Sequence, residues 1–445
     1  MEKNILICLE KMGVGGVETF VLTQSIELKR RGYNVYVMSQ YGQYVDKLKE
    51  HKIEWIEESF ELKNKFDFCK SMKIYKLIKE KNIGQVHIHQ FPCVLSVWGA
   101  CAMARIPYVV YLHSGTDVIY NWYEQNYSIY KQFFREFFCK AERIVAVSLM
   151  AKNSNKNYYN LPEEKYITLN NSIDFESFKE KRKVEKIERF MIISRLSKEK
   201  VQSIKNGIDF FIKYSDYNNN KNYVLDIYGD GTEKAEIEKY IEEKNENNYQ
   251  IRILGSTNQV NKIMDEYDVV MAVGRCVLEA ISMKRVAIIS GNSGNEPLKY
   301  IVKPENIVKS IENNFAYANL EPESIENIMK DLSNYSKENL QEIIETNYKI
   351  IQDRLDIKNN LYVANKLKIS ESSYENILNT IIQIEQIQYQ QLIEENEIYK
   401  AKIRNLEKLE KEIKENNRKL KEELNQVYNS KRWRYVEKFC RKKRN

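Results

Sequence analysis

Several residues are scarce or badly placed in this 445-residue chain, and each absence closes off a class of protein. The seven cysteines (Cys8, Cys69, Cys93, Cys101, Cys139, Cys276 and Cys440) contain no C-x-x-C pair and leave an odd one over. Neither a disulfide framework nor a zinc site is indicated, and reduced, mostly buried thiols are expected. No apolar run approaches the ~20 residues that a bilayer-spanning helix needs. The longest, near Phe91 to Ala104, is short and interrupted. The opening MEKNILICLE has too brief an apolar stretch for a secretory signal and reads as a first buried strand, so a cytoplasmic location is expected. Glycine and proline disappear after about residue 370, which leaves nothing there to break a helix.

Before that point the chain has the material for two cores. Hydrophobic residues make up 43% of it, and its length suits two domains of ~100 to 200 residues with an appendage. Through the first 170 residues short apolar runs (Ile5 to Leu9, Val35 to Met38, Val86 to His89, Tyr108 to Leu112, Ile144 to Val147) alternate with helical patterns. After the charged stretch KEKRKVEKIE the alternation restarts, with strands expected at Phe190 to Ile193, Val224 to Tyr228, Ile251 to Leu254, Val269 to Ala272 and Val286 to Ile289. This pattern predicts an α/β chain: two Rossmann-like, doubly wound domains, residues 1–175 and 176–368, facing each other across a cleft. Heavy use of Lys, Asn, Ile and Tyr is the bias of AT-rich coding sequence and points to a low-GC bacterium.

Residues 370–430 read as a coiled coil. Leu392, Tyr399, Leu406, Ile413, Leu420 and Val427 recur every seven positions, with Tyr389, Asn396, Ile403, Glu410, Asn417 and Leu424 as the partner set. A homodimer through this segment is expected; a long solvated helix is the plainer reading. The net charge of +7 is carried by residues 431–445, where eight cations face one glutamate, Glu437. Trp433, Tyr435, Val436 and Phe439 lie among those cations, a mixture that suits an anionic membrane surface better than nucleic acid. Two readings stand side by side: a peripheral position on the inner membrane face, and a plain charged, solvated tail.

The chemistry concentrates in two fragments. SRLSKEK (Ser194 to Lys200) sets Arg195 and Lys200 between a strand end and a helix start, where free N–H groups and the positive helix end favour phosphate. RCVLEA (Arg275 to Ala280) puts Glu279 on a later helix, placed to accept hydrogen bonds from a ribose. GVGGVE (Gly13 to Glu18) supplies glycines after the first strand that let a backbone approach a ligand, although it does not complete G-x-G-x-x-G and a simple tight turn would also use glycine. His113 ends the strand YVVYL; it is one of only four histidines. His87 and His89 share a strand face but have no third ligand nearby, so no metal is expected there.

With these motifs in order, residues 3 to about 365 resemble the family-4 retaining glycosyltransferases of GT-B fold. GVGGVETFVLTQSIELKRRGYNVYV is similar to the family's opening loop and helix, IVAVSLMAKN to the strand and helix before the interdomain linker, and ITLNNSIDFESF to its Asn-Gly-Ile-Asp linker, with Asn171 and Asp174 kept and Ser172 replacing glycine. SRLSKEK and IYGDGTEKAEIE resemble the first strand-to-helix turn of the second domain and its later Gly-rich turn, which contains Gly229. The resemblance implies transfer of a hexose-type sugar from a nucleotide diphosphate to a glycan or lipid-linked acceptor in bacterial cell-surface polysaccharide assembly. Arg195 and Lys200 would stabilise the leaving diphosphate and Glu279 anchor the ribose. His113 with Gly15 and Gly16 would position the sugar, and Gly229 and Arg275 would complete the donor site. No D-x-D occurs, so a nucleotide sugar handled without metal or other cofactor is implied.

Two positions depart from the family pattern. Met271 stands where the first glutamate of E-x₇-E belongs, and Lys284 where glycine is usual. The first departure keeps open a catalytically silent scaffold that recruits a partner through its coil. A nucleotide-sugar epimerase shares the architecture but lacks a convincing carboxylate pair here.

Overall fold

The computed structural model describes residues 4–60, 68–90, 93–115, 128–180, 182–245, 248–257, 259–291, 298–316, 321–364 and 371–429. Two compact units result, Met1–Leu378 and Asn379–Asn445. The basic tail, 431–445, lies outside the described residues.

The first unit holds two sheets. In the first lobe β1 (Asn4–Lys11), β2 (Asn34–Gln40), β3 (Glu54–Glu57), β4 (Gln85–Ile88), β5 (Tyr108–Leu112), β6 (Arg143–Ala146) and β7 (Tyr166–Thr168) follow the order β3-β2-β1-β4-β5-β6-β7. Every pairing in it is parallel. In the second lobe β8 (Arg189–Ile193), β9 (Val224–Tyr228), β10 (Gln250–Gly255), β11 (Val269–Ala272), β12 (Val286–Ile289) and β13 (Tyr300–Ile301) follow β10-β9-β8-β11-β12-β13. Only β13 runs antiparallel there. Central strands such as β5 and β12 are buried at every residue, which explains their unbroken apolar runs: helices cover both faces. The expected pair of parallel-rich α/β sheets is present, with β3, β7 and β13 added as short edge strands.

Both sheets reverse their winding beside the first strand of the lobe, between β1 and β4 and between β8 and β11. In open α/β sheets such switch points open a crevice at the carboxyl ends of the strands, where ligands bind. Close helix packing supports the second crevice. A methyl added at Gly207, on helix Val201–Tyr217, would lie 2.8 Å from Ile192 Cδ1 and 3.8 Å from Met271 Sδ. Met271 is fully buried in the core between that helix and the sheet.

The chain crosses between lobes twice, and the crossings touch. Ile173 N–H donates to Leu355 O and Ile357 N–H to Ile173 O, each at 3.0 Å. The second crossing then returns to the first lobe, where Leu361 and Val363 join one core cluster and Tyr362 and Ala364 another. Ala364 N–H donates to Gln85 Oε1 at 3.1 Å and Tyr362 Oη to Glu142 Oε2 at 2.6 Å. Residues 361–364 therefore pack with the first lobe, whereas the sequence boundary at 368 assigned them to the second.

The second unit is a single helix, within Glu371–Asn429, that begins before residue 379. No helix among the described residues is long and apolar enough to cross a membrane.

Candidate functional site

A cavity of about 680 Å³ opens at the two switch points. Its walls come from the segments that follow β1 (Val14 to Gly16), β8 (Ile193 to Arg195), β9 (Tyr228 to Asp230) and β11 (Val273 to Cys276), joined by Thr19, Thr23, Tyr44 and Lys47 from the first lobe. Ser256 and Thr257, after β10, add a fourth second-lobe turn to the wall.

Arg275 dominates the second-lobe wall. Gly274, at φ 65° and ψ −132°, turns the chain from β11 into helix Arg275–Ser282 in a conformation that side chains disfavour. Arg275 Nε then donates to Glu279 Oε1 at 3.0 Å, one turn on, with the two residues only 7% and 6% exposed. Its Nη1 donates to Ser172 O at 2.9 Å on the first crossing, and Nη2 lies 3.4 Å from Thr23 Oγ1 on the first-lobe helix Gly16–Arg30. One guanidinium, fixed in charge, thus ties helix, crossing and opposite lobe together. Burial raises the Glu279 carboxyl above its ordinary range, while Arg275 and Lys47 pull it back.

Arg195 lies exposed at the end of β8 on the same wall. Its charge reaches Glu18 across the cleft, where it opposes the rise that burial gives that carboxyl. Gly229 belongs there because the β9 turn passes against the β8 turn: an added Cβ would sit 1.9 Å from Ser194 O. Lys200 is one turn further, the residue before helix Val201–Tyr217, with its N–H on Ser197 O at 2.8 Å, and it is not among the lining residues.

On the first-lobe wall helix Gly16–Arg30 points its N-terminus at the cavity, and no side chain caps it. Gly15 and Gly16 both line the space, and a methyl at Gly16 would meet nothing within 4 Å. Free N–H groups and a bare backbone leave room there for an anion or a sugar.

His113 does not line the cavity but stands close behind it, half-buried at the end of β5. Its ring meets Phe20 edge-on at 5.4 Å, and its Nε2 is 3.1 Å from His89 Nδ1. His89, stacked on Tyr111 at 4.2 Å, has a buried Nε2 with no partner. An orphaned N–H is costlier than an orphaned lone pair, so His89 carries its proton on Nδ1 and donates it to His113. That assigns the His113 proton to Nδ1. Desolvation, with Arg275 adding to it, pushes His113 down to about 3, and burial holds His89 well below its ordinary value. Both rings are neutral donors and acceptors at physiological pH. His87 contacts Gln24 at 3.4 Å and Gln85 at 3.2 Å, so it packs into a polar network. Among the described residues no group of three or more His, Cys, Asp or Glu side chains is arranged to hold a metal ion.

Of the residues singled out from sequence, Gly15, Gly16, Arg195, Gly229, Arg275 and Glu279 converge on the cavity, while His113 and Lys200 stand beside it. Thr23, Tyr44, Lys47 and Tyr228 also line it and were missed. Thr19 and Thr23, four apart on the first helix, carry a legible signal, since each is a polar residue on a face that is otherwise apolar. Lys284 pairs instead with Glu180 at 3.3 Å and Glu345 at 2.8 Å, and Met271 faces the core.

The chain has the GT-B fold, the architecture of the glycosyltransferase structures on which it superposes. Its residues 14–177 match the family profile Glycosyltransferase Family 4, which supports the resemblance read from the motifs. A glycosyltransferase from Rickettsia africae superposes with a TM-score of 0.61 at 17% identity, covering 86% of this chain and 98% of the other. HepE from Anabaena, solved in complex with UDP-glucose, gives 0.60 at 16% identity over 85% and 99%. Sucrose-phosphate synthase from Thermosynechococcus elongatus gives 0.56 at 13% over 88% and 99%. No curated protein matches the sequence.

Proposed function

We propose that this protein is a retaining glycosyltransferase that moves a hexose-type sugar from a nucleoside diphosphate to a glycan or lipid-linked acceptor in bacterial cell-surface polysaccharide assembly. The observation that carries the reading is the convergence of Arg195, Arg275, Glu279 and the uncapped helix at Gly16 on one interlobe cavity. In a GT-B fold whose relative HepE was solved with UDP-glucose, that set fits a nucleotide sugar.

Arg195, with Lys200 behind it, stabilises the negative charge that builds on the diphosphate as the bond to the anomeric carbon breaks. Glu279, held in place by Arg275, accepts the ribose hydroxyls. Gly15 and Gly16 face the sugar side, and His113, oriented by His89, stands behind them as a neutral group that does not oppose the oxocarbenium character of the ring. The bond pair leaves with the phosphate oxygen, the acceptor hydroxyl attacks from the same face, and its proton passes to the departing phosphate. Neither a metal nor a carboxylate nucleophile is needed. Closure of the lobes excludes water and aligns the two substrates.

Incubation with UDP-, GDP- and ADP-sugars, read as release of the nucleoside diphosphate, tests the proposal. One donor should turn over, and Arg195→Ala should slow it by ~10² to 10³, the worth of one preorganised charge contact in a water-poor site, without loss of folding. No turnover of any donor, with or without lipid-linked acceptors, would leave the silent scaffold. Its support is Met271, a core side chain where the family pattern has a glutamate. We place residues 431–445 at anionic lipid in the same account. Their deletion should release the protein from phosphatidylglycerol vesicles, and unchanged binding would remove that part.

A further inference from the structure

We propose that the helix of the second unit pairs with the same helix of a second copy, as a parallel, in-register two-stranded coiled coil. Three observations on this helix carry the proposal, and none depends on the enzymatic reading.

The first is exposure. Glu371–Asn429 is one uninterrupted helix of 59 residues, about 90 Å at 1.5 Å per residue. Along it the apolar seam from Tyr389 to Leu424 is 39–66% exposed. Helices in proteins owe most of their stability to packing of an apolar face, and this face has no partner among the described residues of its own unit. Its seven-residue spacing, shorter than two ideal turns, is what a left-handed supercoil requires.

The second is the placement of the polar seam residues. With Leu392 at position d, every d residue from Leu392 to Val427 is apolar, while Asn396, Glu410 and Asn417 all fall at a. Parallel strands in register set each a residue against its own copy, so Asn396 meets Asn396 and Asn417 meets Asn417, amides that satisfy one another. An antiparallel pair would set every one of them against an apolar d residue and leave it without a partner. The Glu410 layer opposes any pairing; Lys414, 2.6 Å from Glu410 Oε1, offsets its charge. This layer makes the coil weaker than an all-apolar seam would be.

The third is charge. Positions g and e of facing strands, five residues apart, pair Glu395 with Lys400 and Lys402 with Glu407 of the second copy, and no like charges meet. A slip of one heptad would instead bring Glu395 against Glu407, Lys402 against Lys414, and Lys402 against Lys400, while facing Asn396 with Ile403. Charge and amide layers therefore select the same register. Such a coil delivers residues 431–445 of both copies at one end, doubling the basic, aromatic segment offered to a surface.

Full-length protein carrying Cys69→Ser and Cys440→Ser, and shown not to cross-link by itself, provides the background for the test. Single cysteines at two d positions four heptads apart, Leu392→Cys and Leu420→Cys, should each cross-link to themselves under mild oxidation, and the two variants mixed should give no mixed species. Self-linkage at both positions requires parallel, in-register strands; linkage at neither, or a mixed product, overturns the proposal. Sedimentation of the wild-type chain at tens of micromolar should give twice the 53.0 kDa chain mass, and a monomer would overturn it as well. Glu395→Lys with Glu407→Lys should weaken the dimer at least tenfold. Adding Lys400→Glu and Lys402→Glu, which reverses both pairs completely, should restore it, whereas a coil that ignores these charges would respond to neither.

Discussion

The two lobes put similar sheets behind one cavity but fill the ground beneath it differently. On β4 and the middle of the first helix the buried polar side chains are neutral: Gln24, Gln85, His87 and His89, with Tyr111 Oη accepting from Gln24 at 2.7 Å; Glu27, further along that helix, is buried beside Arg30 and Arg31. Behind the second-lobe wall the corresponding groups are ionic. Asp226, fully buried on β9, accepts both arms of Arg252 at 2.6 and 2.7 Å and the Tyr267 hydroxyl at 2.7 Å, and Arg275 holds Glu279 above it. A fixed charge in low dielectric can be kept only where it is paired, and such a pair gives a rigid setting for recognising another charge. Neutral donors and acceptors suit hydroxyls. The contrast fits the proposed donor, whose charged half would lie against the second lobe and whose uncharged half would lie against the first.

The largest break in that contrast comes from Arg275→Ala. It leaves Glu279 buried without its counter-charge and should cost about 3–5 kcal/mol in urea unfolding, together with nucleotide binding. A loss under ~1 kcal/mol would mean that the ionic setting is decoration. Acid sharpens the other side. His87 and His113 are held at about 3 in the fold against ~6.5 unfolded, so their contribution is intact above pH 6.5. As pH falls through that window the unfolded chain binds the protons first, and stability should drop by about 1.4 kcal/mol per unit for each, near 2 kcal/mol apiece at pH 5. Unfolding at pH 7 and pH 5 checks this, with His87→Gln removing one share.

A smaller effect is expected of His89→Phe, which keeps the stack on Tyr111 and removes the donor to His113. Turnover should fall about tenfold, the worth of one neutral hydrogen bond. Nitrogen-15 spectra should show His113 leaving its Nδ1–H form; an unchanged tautomer would separate the two rings. Smallest of all, Met271→Leu should cost less than ~1.5 kcal/mol and leave nucleotide affinity alone, because the side chain packs on Gly207 and Ile192 away from the cavity.

The sequence made the buried strands legible, since a strand covered on both faces is mostly apolar, and β5, β11 and β12 fall where unbroken apolar runs stand, with β9 interrupted by Asp226 alone. It did not reveal β3, β7 or β13. Glu54–Glu57 keeps a glutamate at each end and is only half-buried, and the other two are three and two residues long. Nor did it reveal the return of residues 361–364 to the first lobe, because four residues carry no periodicity. In the site, Arg195, Arg275, Glu279 and the glycines could be found because a turn after a strand faces the crevice wherever the sheet is parallel. Tyr44 and Lys47 could not, because what brings them to the cavity is the approach of one lobe to the other. The His89–His113 contact is of that kind too: it joins two strand ends that are neighbours only once the sheet has formed.

The central claim is that the second-lobe wall holds a nucleoside diphosphate. Calorimetric titration of UDP, GDP and ADP into the full-length protein and into Arg195→Ala tests it most directly. One nucleotide should bind the wild type, with at least a tenfold loss in the variant and no change in its melting temperature. Equal binding to both proteins, or binding of none, would contradict the account.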